Sequence, residues 1–195
     1  MTKLMTEQGM VRVPAGTWTV DPAHSSVAFE IKHMMISTVR GQFREFDGTL
    51  DAAEDDPANS RVRGSARVAS IDTGSPDRDE HLKSAEFFDA EHHPEITYVS
   101  TRIESLGGPD YRVTGDLTIK GVTRPVTMEA SVEGAGEDPW GAERVGIRVR
   151  GKIDRRDFGL SWQQPLARGG VLVGEEVRIL IDVSAVRAST GSSPS

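Results

Sequence analysis

Tyr111-Arg112-Val113-Thr114-Gly115-Asp116-Leu117-Thr118-Ile119-Lys120 alternates without a break. Tyr111, Val113, Gly115, Leu117 and Ile119 fall on one side of an extended chain, with Arg112, Thr114, Asp116, Thr118 and Lys120 on the other. A period of two with one dry and one wet face marks a strand of an antiparallel sheet. Turn residues flank it, Gly107-Gly108-Pro109-Asp110 before and Gly121 to Pro125 after, so its sheet neighbours are its neighbours in sequence.

The same pattern extends both ways. Downstream, Val126, Met128, Ala130 and Val132 alternate, Gly134 to Gly141 reads as a loop, and Val145, Ile147, Val149, Gly151 and Ile153 form a strand whose basic outer face is expected to be solvated. Val177, Ile179, Ile181 and Val183 make the last strand. Upstream, Glu95 to Glu104 puts Ile96 and Tyr98 on one side and Thr97, Val99 and Ile103 on the other, and Arg61 to Ile71 is another strand. Asp51 to Ser60 is acidic and aperiodic, a solvated connection. Val39, Gly41 and Phe43 lead toward Phe46 and Gly48, the glycines permitting bends, and Val27, Phe29, Ile31 and His33 alternate before the short apolar run Met34-Met35-Ile36. Asp21-Pro22 turns the chain ahead of them. The sum is about eight strands in a meander, mainly β, and closing it into an antiparallel barrel removes the exposed edges.

One stretch breaks the alternation. In Asp72 to Asp89, Ser75 is placed to cap a helix, Pro76 suits its first position, and Asp77, Asp79 and Glu80 complement its positive end. Leu82, Ala85 and Phe88 recur at spacing three, predicting an apolar face that plugs one end of the barrel.

The 195 residues fit one domain, expected over 16–187, with a loose arm at 1–15 and a small-residue tail at 188–195. Thirty acidic against 23 basic residues give a formal charge of −7 without a basic run, which argues against nucleic acid as a partner. No cysteine is present, so disulfides, thiolate metal sites and thiol nucleophiles are excluded. No window approaches the roughly 18 to 20 apolar residues of a membrane-spanning helix. Residues 1–15 contain no secretory apolar core, which predicts a cytoplasmic protein.

An eight-stranded barrel is wide enough to hold a small ligand if its lumen is not filled by side chains. The expected lining is Val27, Phe29, Ile31, Phe43, Ile96, Tyr98, Val113, Leu117, Ile119, Ile147, Val149 and Ile179, with His33 as the polar exception. An elongated apolar molecule suits such a wall: burying about fifteen methylenes at roughly 0.8 kcal/mol each yields roughly 12 kcal/mol, before association costs of several kcal/mol. Periodicity alone leaves the opposite reading equally open, in which these residues pack on one another.

Asp21-Pro22-Ala23-His24-Ser25, His33, Gly41-Gln42-Phe43, Arg78-Asp79-Glu80-His81-Leu82 with Phe87-Phe88-Asp89, Gly115 to Thr123, and Asp157-Phe158-Gly159-Leu160 together resemble the YceI-like family, in order, from about Thr17 to Val186. The resemblance implies a lipocalin-like antiparallel barrel that binds a polyisoprenoid lipid or isoprenoid quinone in its lumen, often as a homodimer. Many family members are periplasmic; no leader is seen here. His81, Leu82 and Phe88 of the insertion, with Phe158 and Trp162, complete the candidate ligand-binding set.

The polar residues allow more than one role. His33 sits at lumen parity, fit either to bond a head group or to be satisfied by the backbone within a core. Arg78, Asp79 and His81 either tie the insertion to the rim or touch ligand. The five histidines show no close ligand spacing, so no metal is expected, and nothing calls for a cofactor. Asp157-Phe158-Gly159 lacks the companion motifs of a kinase, and no Gly-x-Ser-x-Gly occurs. A non-enzymatic lipid carrier leads. Behind it stand an enzyme using His33 as acid or base and a scaffold with a filled barrel.

Overall fold

The computed structural model describes residues 5–7, 10–167 and 169–188. In chain order its elements are β1 (Met5–Glu7), β2 (Met10–Arg12), β3 (Gly16–Val20), β4 (Ser26–His33), β5 (Ser37–Phe43), β6 (Phe46–Ala52), β7 (Arg61–Arg67), β8 (Ile71–Asp72), α1 (Pro76–Lys83), β9 (Glu95–Gly107), β10 (Asp110–Ile119), β11 (Val122–Glu137), β12 (Glu143–Asp154) and β13 (Val173–Arg187). Around the barrel the order is β12-β11-β10-β9-β7-β6-β3-β13, and the β12–β13 ladder closes this ring of eight. Every pairing is antiparallel. The closed antiparallel barrel expected from the alternation is therefore the fold.

Three neighbouring staves are each broken once. β3 and β4 both pair with β13 and are separated by a turn of 3-10 helix at Pro22–His24. β5 and β6 part at Arg44 and Glu45, and β7 and β8 at Val68–Ser70. The chain folds this way locally because polar groups satisfy the backbone that the breaks release. Asp21 accepts from the Ala23 N–H at 3.1 Å and Pro22 needs no partner. Ser70 accepts from the Arg44 N–H through its carbonyl at 3.1 Å and from the Glu45 N–H through its hydroxyl at 3.0 Å. The bend thus lies at Arg44 and Glu45, not at the expected glycines. Gly41 serves the wall instead: it pairs with Phe29, and a Cβ there would lie 2.3 Å from the Phe29 ring.

Asp21 also ties the β3–β4 break to β12. Its carboxylate accepts from Arg144 of β12 at 2.7 Å and from His24 at 2.7 Å, and these two bonds, Arg144 first, hold its pKa down to about 2 from an ordinary 3.8. A lowered carboxylate pKa stabilises the fold fully above the unfolded value and loses that contribution as pH falls through the folded one. Wild type is expected to melt above Asp21→Asn at pH 6, with the gap closing between pH 3.8 and about 2. A gap that persists at pH 2 in thermal melts would contradict this linkage.

β10 alternates as read, with Tyr111, Val113, Leu117 and Ile119 buried. β9 departs from its expected parity. The register slips between Arg102–Thr114 and Ser100–Gly115, leaving Thr101 as a bulge, and the extra residue turns Ile103 inward to join Tyr111, Val113 and Val132. β11 runs to Glu137 through a second slip after Val132, so the loop expected at Gly134 shrinks to the turn after the strand. The basic face of β12 is paired rather than merely solvated: Arg148 meets Glu133 at 3.0 Å, Arg150 meets Asp182 at 3.1 Å and Lys152 meets Glu176 at 3.2 Å. Exposed pairs of this kind contribute about 0 to 1 kcal/mol each and mainly fix partner and register.

The insertion is a helix starting at Pro76, but its capping and its apolar face differ from expectation. The Ser75 side chain makes no cap bond; Asp79 instead reaches back to the Thr73 N–H at 2.9 Å and hydroxyl at 2.6 Å. The helix ends at Lys83, so Ala85 and Phe88 lie beyond it and no helical stripe forms. Phe88 folds back, its N–H on the Leu82 carbonyl at 3.0 Å, and with Leu82 packs on Phe43, Ala66 and Ile71. Plugging is thus done by the turn after the helix as much as by the helix.

Residues 1–15, expected as an arm, contain the β1–β2 ribbon, and from Val11 they are held to the barrel. The Val11 N–H donates to Gly108 at 2.7 Å, its carbonyl accepts from the Tyr111 hydroxyl at 2.6 Å, and the Pro14 carbonyl accepts from the indole of fully buried Trp18 at 2.8 Å. Residues 189–195 of the expected tail lie outside the described residues.

Candidate ligand-binding site

The barrel encloses a cavity of about 800 Å³. Its middle is walled by alternate residues of neighbouring staves, Val27, Phe29 and Ile31 of β4 beside Ile179, Ile181 and Val183 of β13, then Ile147 and Val149 of β12. These side chains point inward yet are only half-buried, whereas Trp18, Val145 and Phe158 elsewhere in the core are almost wholly covered. An inward apolar side chain that protein atoms do not cover faces open space. The reading in which the lumen is packed solid is therefore excluded.

Of the residues singled out from sequence, Val27, Phe29, Ile31, His33, Phe43, Ile96, Tyr98, Val113, Leu117, Ile119, Ile147, Val149 and Ile179 all line the cavity, as do His81, Leu82, Phe88 and Trp162. Phe158 does not. It is 1% exposed and packs with Leu117, Ile119, Met128 and Leu160 behind the wall, because the 3-10 turn Arg155–Phe158 carries it under the end of the barrel.

The wall hides its own polar atoms. The Tyr98 hydroxyl donates to the Val113 and Val126 carbonyls, both at 3.2 Å, and burial, with Asp116 nearby, pushes its pKa up to about 12. Its ring passes over Gly115, where a Cβ would lie 2.8 Å from the hydroxyl oxygen. Only the aromatic face is offered to the lumen. Phe29, Phe43 and Phe88 continue this surface, with ring centroids 5.8 and 6.2 Å apart in sequence, tilted and edge-on arrangements that aromatic quadrupoles favour.

Polar residues line the cavity in two places: Arg12, Asp47, Thr49, Ser60, Arg63, Ser65 and Thr97 along β2, β6, β9 and in or just before β7, and a second set where α1, the β4–β5 hairpin and the segment after β12 meet. Lys32, His33, Thr73, Asp77, Arg78, His81, Arg155 and Trp162 contribute there. Arg78 donates to the Thr73 hydroxyl and carbonyl, each at 2.7 Å, so with Asp79 it ties α1 to the strand before it while also facing the cavity. His81 bonds Glu86 at 2.5 Å and stands edge-on to Phe87 and Trp162, centroids 5.0 and 4.9 Å away. Among the described residues no acid is hydrogen-bonded to the His33 ring and no group of three or more histidines and carboxylates stands close enough to hold a metal. No described helix is long and apolar enough to cross a membrane.

Sequence reasoning missed Arg155. Its guanidinium, 4% exposed, donates to the Gly174 carbonyl at 2.8 Å, Trp162 at 2.9 Å, Val173 at 3.4 Å and also to Leu160, tying the segment after β12 to the start of β13. Burial lowers its pKa from the ordinary value, though an arginine remains protonated. Nothing in Asp154-Arg155-Arg156-Asp157 distinguishes the buried arginine from its exposed neighbour, which bonds Asp154.

A closed eight-stave barrel that keeps an apolar lumen of this volume is a lipocalin-like architecture, able to enclose a small apolar molecule. Residues 18–185 match the YceI-like domain, and the chain belongs to that family. It is 39% identical over 164 residues to "Protein YceI" of Escherichia coli O17:K52:H18 (strain UMN026), covering 84% of this chain and 82% of that one. Among solved structures, BcnA of Burkholderia cenocepacia superposes with a TM-score of 0.74 at 28% identity, over 85% of this chain and 98% of that one. A polyisoprenoid binding domain from Saccharophagus degradans superposes with a TM-score of 0.66 over 88% and 98%, and at 14% identity it shares the fold alone.

Proposed function

We propose that this protein binds an isoprenoid lipid, a polyprenyl chain or isoprenoid quinone, in the barrel lumen and carries or stores it without chemical change. The observation that carries the reading is the 800 Å³ cavity with its aliphatic and aromatic middle. That volume lies within the roughly 300 to 1,000 Å³ of small-molecule pockets, and dispersion and desolvation along such a wall reward a long apolar chain over a compact polar one. The chain occupies the middle, and a polar end sits toward His33, Arg78 and His81. Family membership and the polyisoprenoid binding of a fold neighbour agree with this reading. A homodimer is part of the proposal, checked by sedimentation velocity.

The test is organic extraction of protein purified from its native host, read by mass spectrometry, together with uptake of polyprenyl alcohols and quinones by the delipidated protein. One apolar chain per barrel is the expected result. No extractable lipid and no uptake would overturn the reading.

A further inference from the structure

The β4–β5 hairpin turns in an unexpected way. Its tip, His33-Met34-Met35-Ile36, is closed by the Ile36 N–H on the His33 carbonyl at 3.2 Å, with Met34 at φ 51° and Met35 at φ 61°. Two successive positive φ values suit Asn-Gly, and side chains bearing a Cβ hold them at a cost in strain. The β10–β11 turn, at the same end of the barrel, meets the requirement with Lys120 at φ 49° and Gly121 at φ 73°. Moreover, Met34, Met35 and Ile36 are 40%, 63% and 81% exposed. The tip is thus unfavourable twice over, in backbone and in solvation, which marks it as functional.

Its position suggests the use. The Met34 N–H bonds the Leu172 carbonyl at 2.8 Å, and Lys32, His33, Leu172 and Val173 around it line the cavity. Three carboxylates on β4 and β13 are engaged: Glu175 by Arg156 at 2.9 Å, Glu176 by Lys152 at 3.2 Å and Glu30 by Arg40 at 2.6 Å, whereas Asp77 of α1 shares the cavity lining with no ion-pair partner among the described residues. Lys32 bonds the Thr38 hydroxyl at 3.0 Å and remains exposed, a cation that matches lipid phosphate. Three protruding side chains are too few for a stable protein interface, which needs about 800 Å² from each partner, but suffice to enter the headgroup and acyl boundary.

We infer that this tip is a membrane-docking finger: Met34, Met35 and Ile36 insert shallowly into a lipid bilayer and bring the cavity beside them to the membrane surface, where cargo is exchanged. The exchange rests on the lipid-binding reading above; the docking does not. The test uses the full chain with phosphatidylcholine vesicles and the variant Met34→Asn/Met35→Gly, which suits the turn better and so folds. Wild type is expected to float with the vesicles, and the variant to lose this by about tenfold or more. Transfer of a fluorescent polyprenyl lipid out of vesicles is expected to slow in proportion, while uptake of the same lipid added from ethanol is unchanged. Tip-dependent flotation without uptake from ethanol would sustain docking and sink the carrier reading. Equal flotation of both proteins, wild type remaining in the aqueous fraction, or a wild-type dimer that the variant splits would each overturn docking, the last by making the tip a contact between copies.

Discussion

Leu117→Asp is expected to cost about 3 to 5 kcal/mol or to leave the chain unfolded, because it sets a carboxylate without a partner into an apolar wall. Leu117 is 6% exposed and packs with Ile119, Val126, Met128, Phe158 and Leu160, a cluster joining the cavity wall to the segment beneath the barrel. The loss therefore reaches both the wall and its foundation. Thr118→Asp is the control: its side chain is on the outer face, where the hydroxyl meets Thr123 at 2.8 Å, and the expected change is within about 0.5 kcal/mol. Chemical denaturation of the two variants checks this directly. Equal stability would mean that β10 does not face its dry side inward.

The second large effect is expected from Arg155→Ala, at about 3 kcal/mol or more. The substitution removes a buried guanidinium and strips four carbonyl oxygens, those of Gly174, Leu160, Trp162 and Val173, of a charged donor. Water can reach some of these carbonyls in the variant, so the loss is smaller than four full hydrogen bonds. Arg156→Ala, one residue on, loses exposed pairs with Asp154 and Glu175 and is expected to change stability by less than about 1 kcal/mol. Because Arg155 also pins Trp162 and Val173 at the cavity end, its variant should exchange amide hydrogens faster than wild type at 159–167 and 169–173 while β10 stays unchanged. A flat exchange profile, or a cost equal to that of Arg156→Ala, would contradict the anchoring role.

The barrel was legible because an antiparallel stave with one wet face writes its geometry into the sequence at period two. β10 is the clearest case, and each candidate on β4, β9, β10, β12 and β13 lines the cavity. What the pattern could not show is anything that shifts parity by a single residue. Thr101 does so in β9, and Ile103 consequently faces the opposite way from its apparent side. The helix was found from its proline and acidic start, but not its length, since Ser84 leaves the helical region and the apolar spacing runs past it. Arg155 carried no signal at all, its burial being a property of the turn that follows β12. Nor does period two tell a full lumen from an open one. That depends on how far apart the closed staves stand.

The central claim is that this opening holds an apolar chain, and blocking it is the most direct measurement. Val149→Trp/Ile181→Trp places two indoles at adjacent positions of β12 and β13, paired across the ladder and facing the cavity. Binding of a fluorescent polyprenyl probe to the delipidated wild type is expected to saturate at one per barrel, and the doubly substituted protein, folded by circular dichroism, to bind at least about tenfold more weakly. Undiminished binding in the blocked barrel would place the chain outside the lumen and end this account.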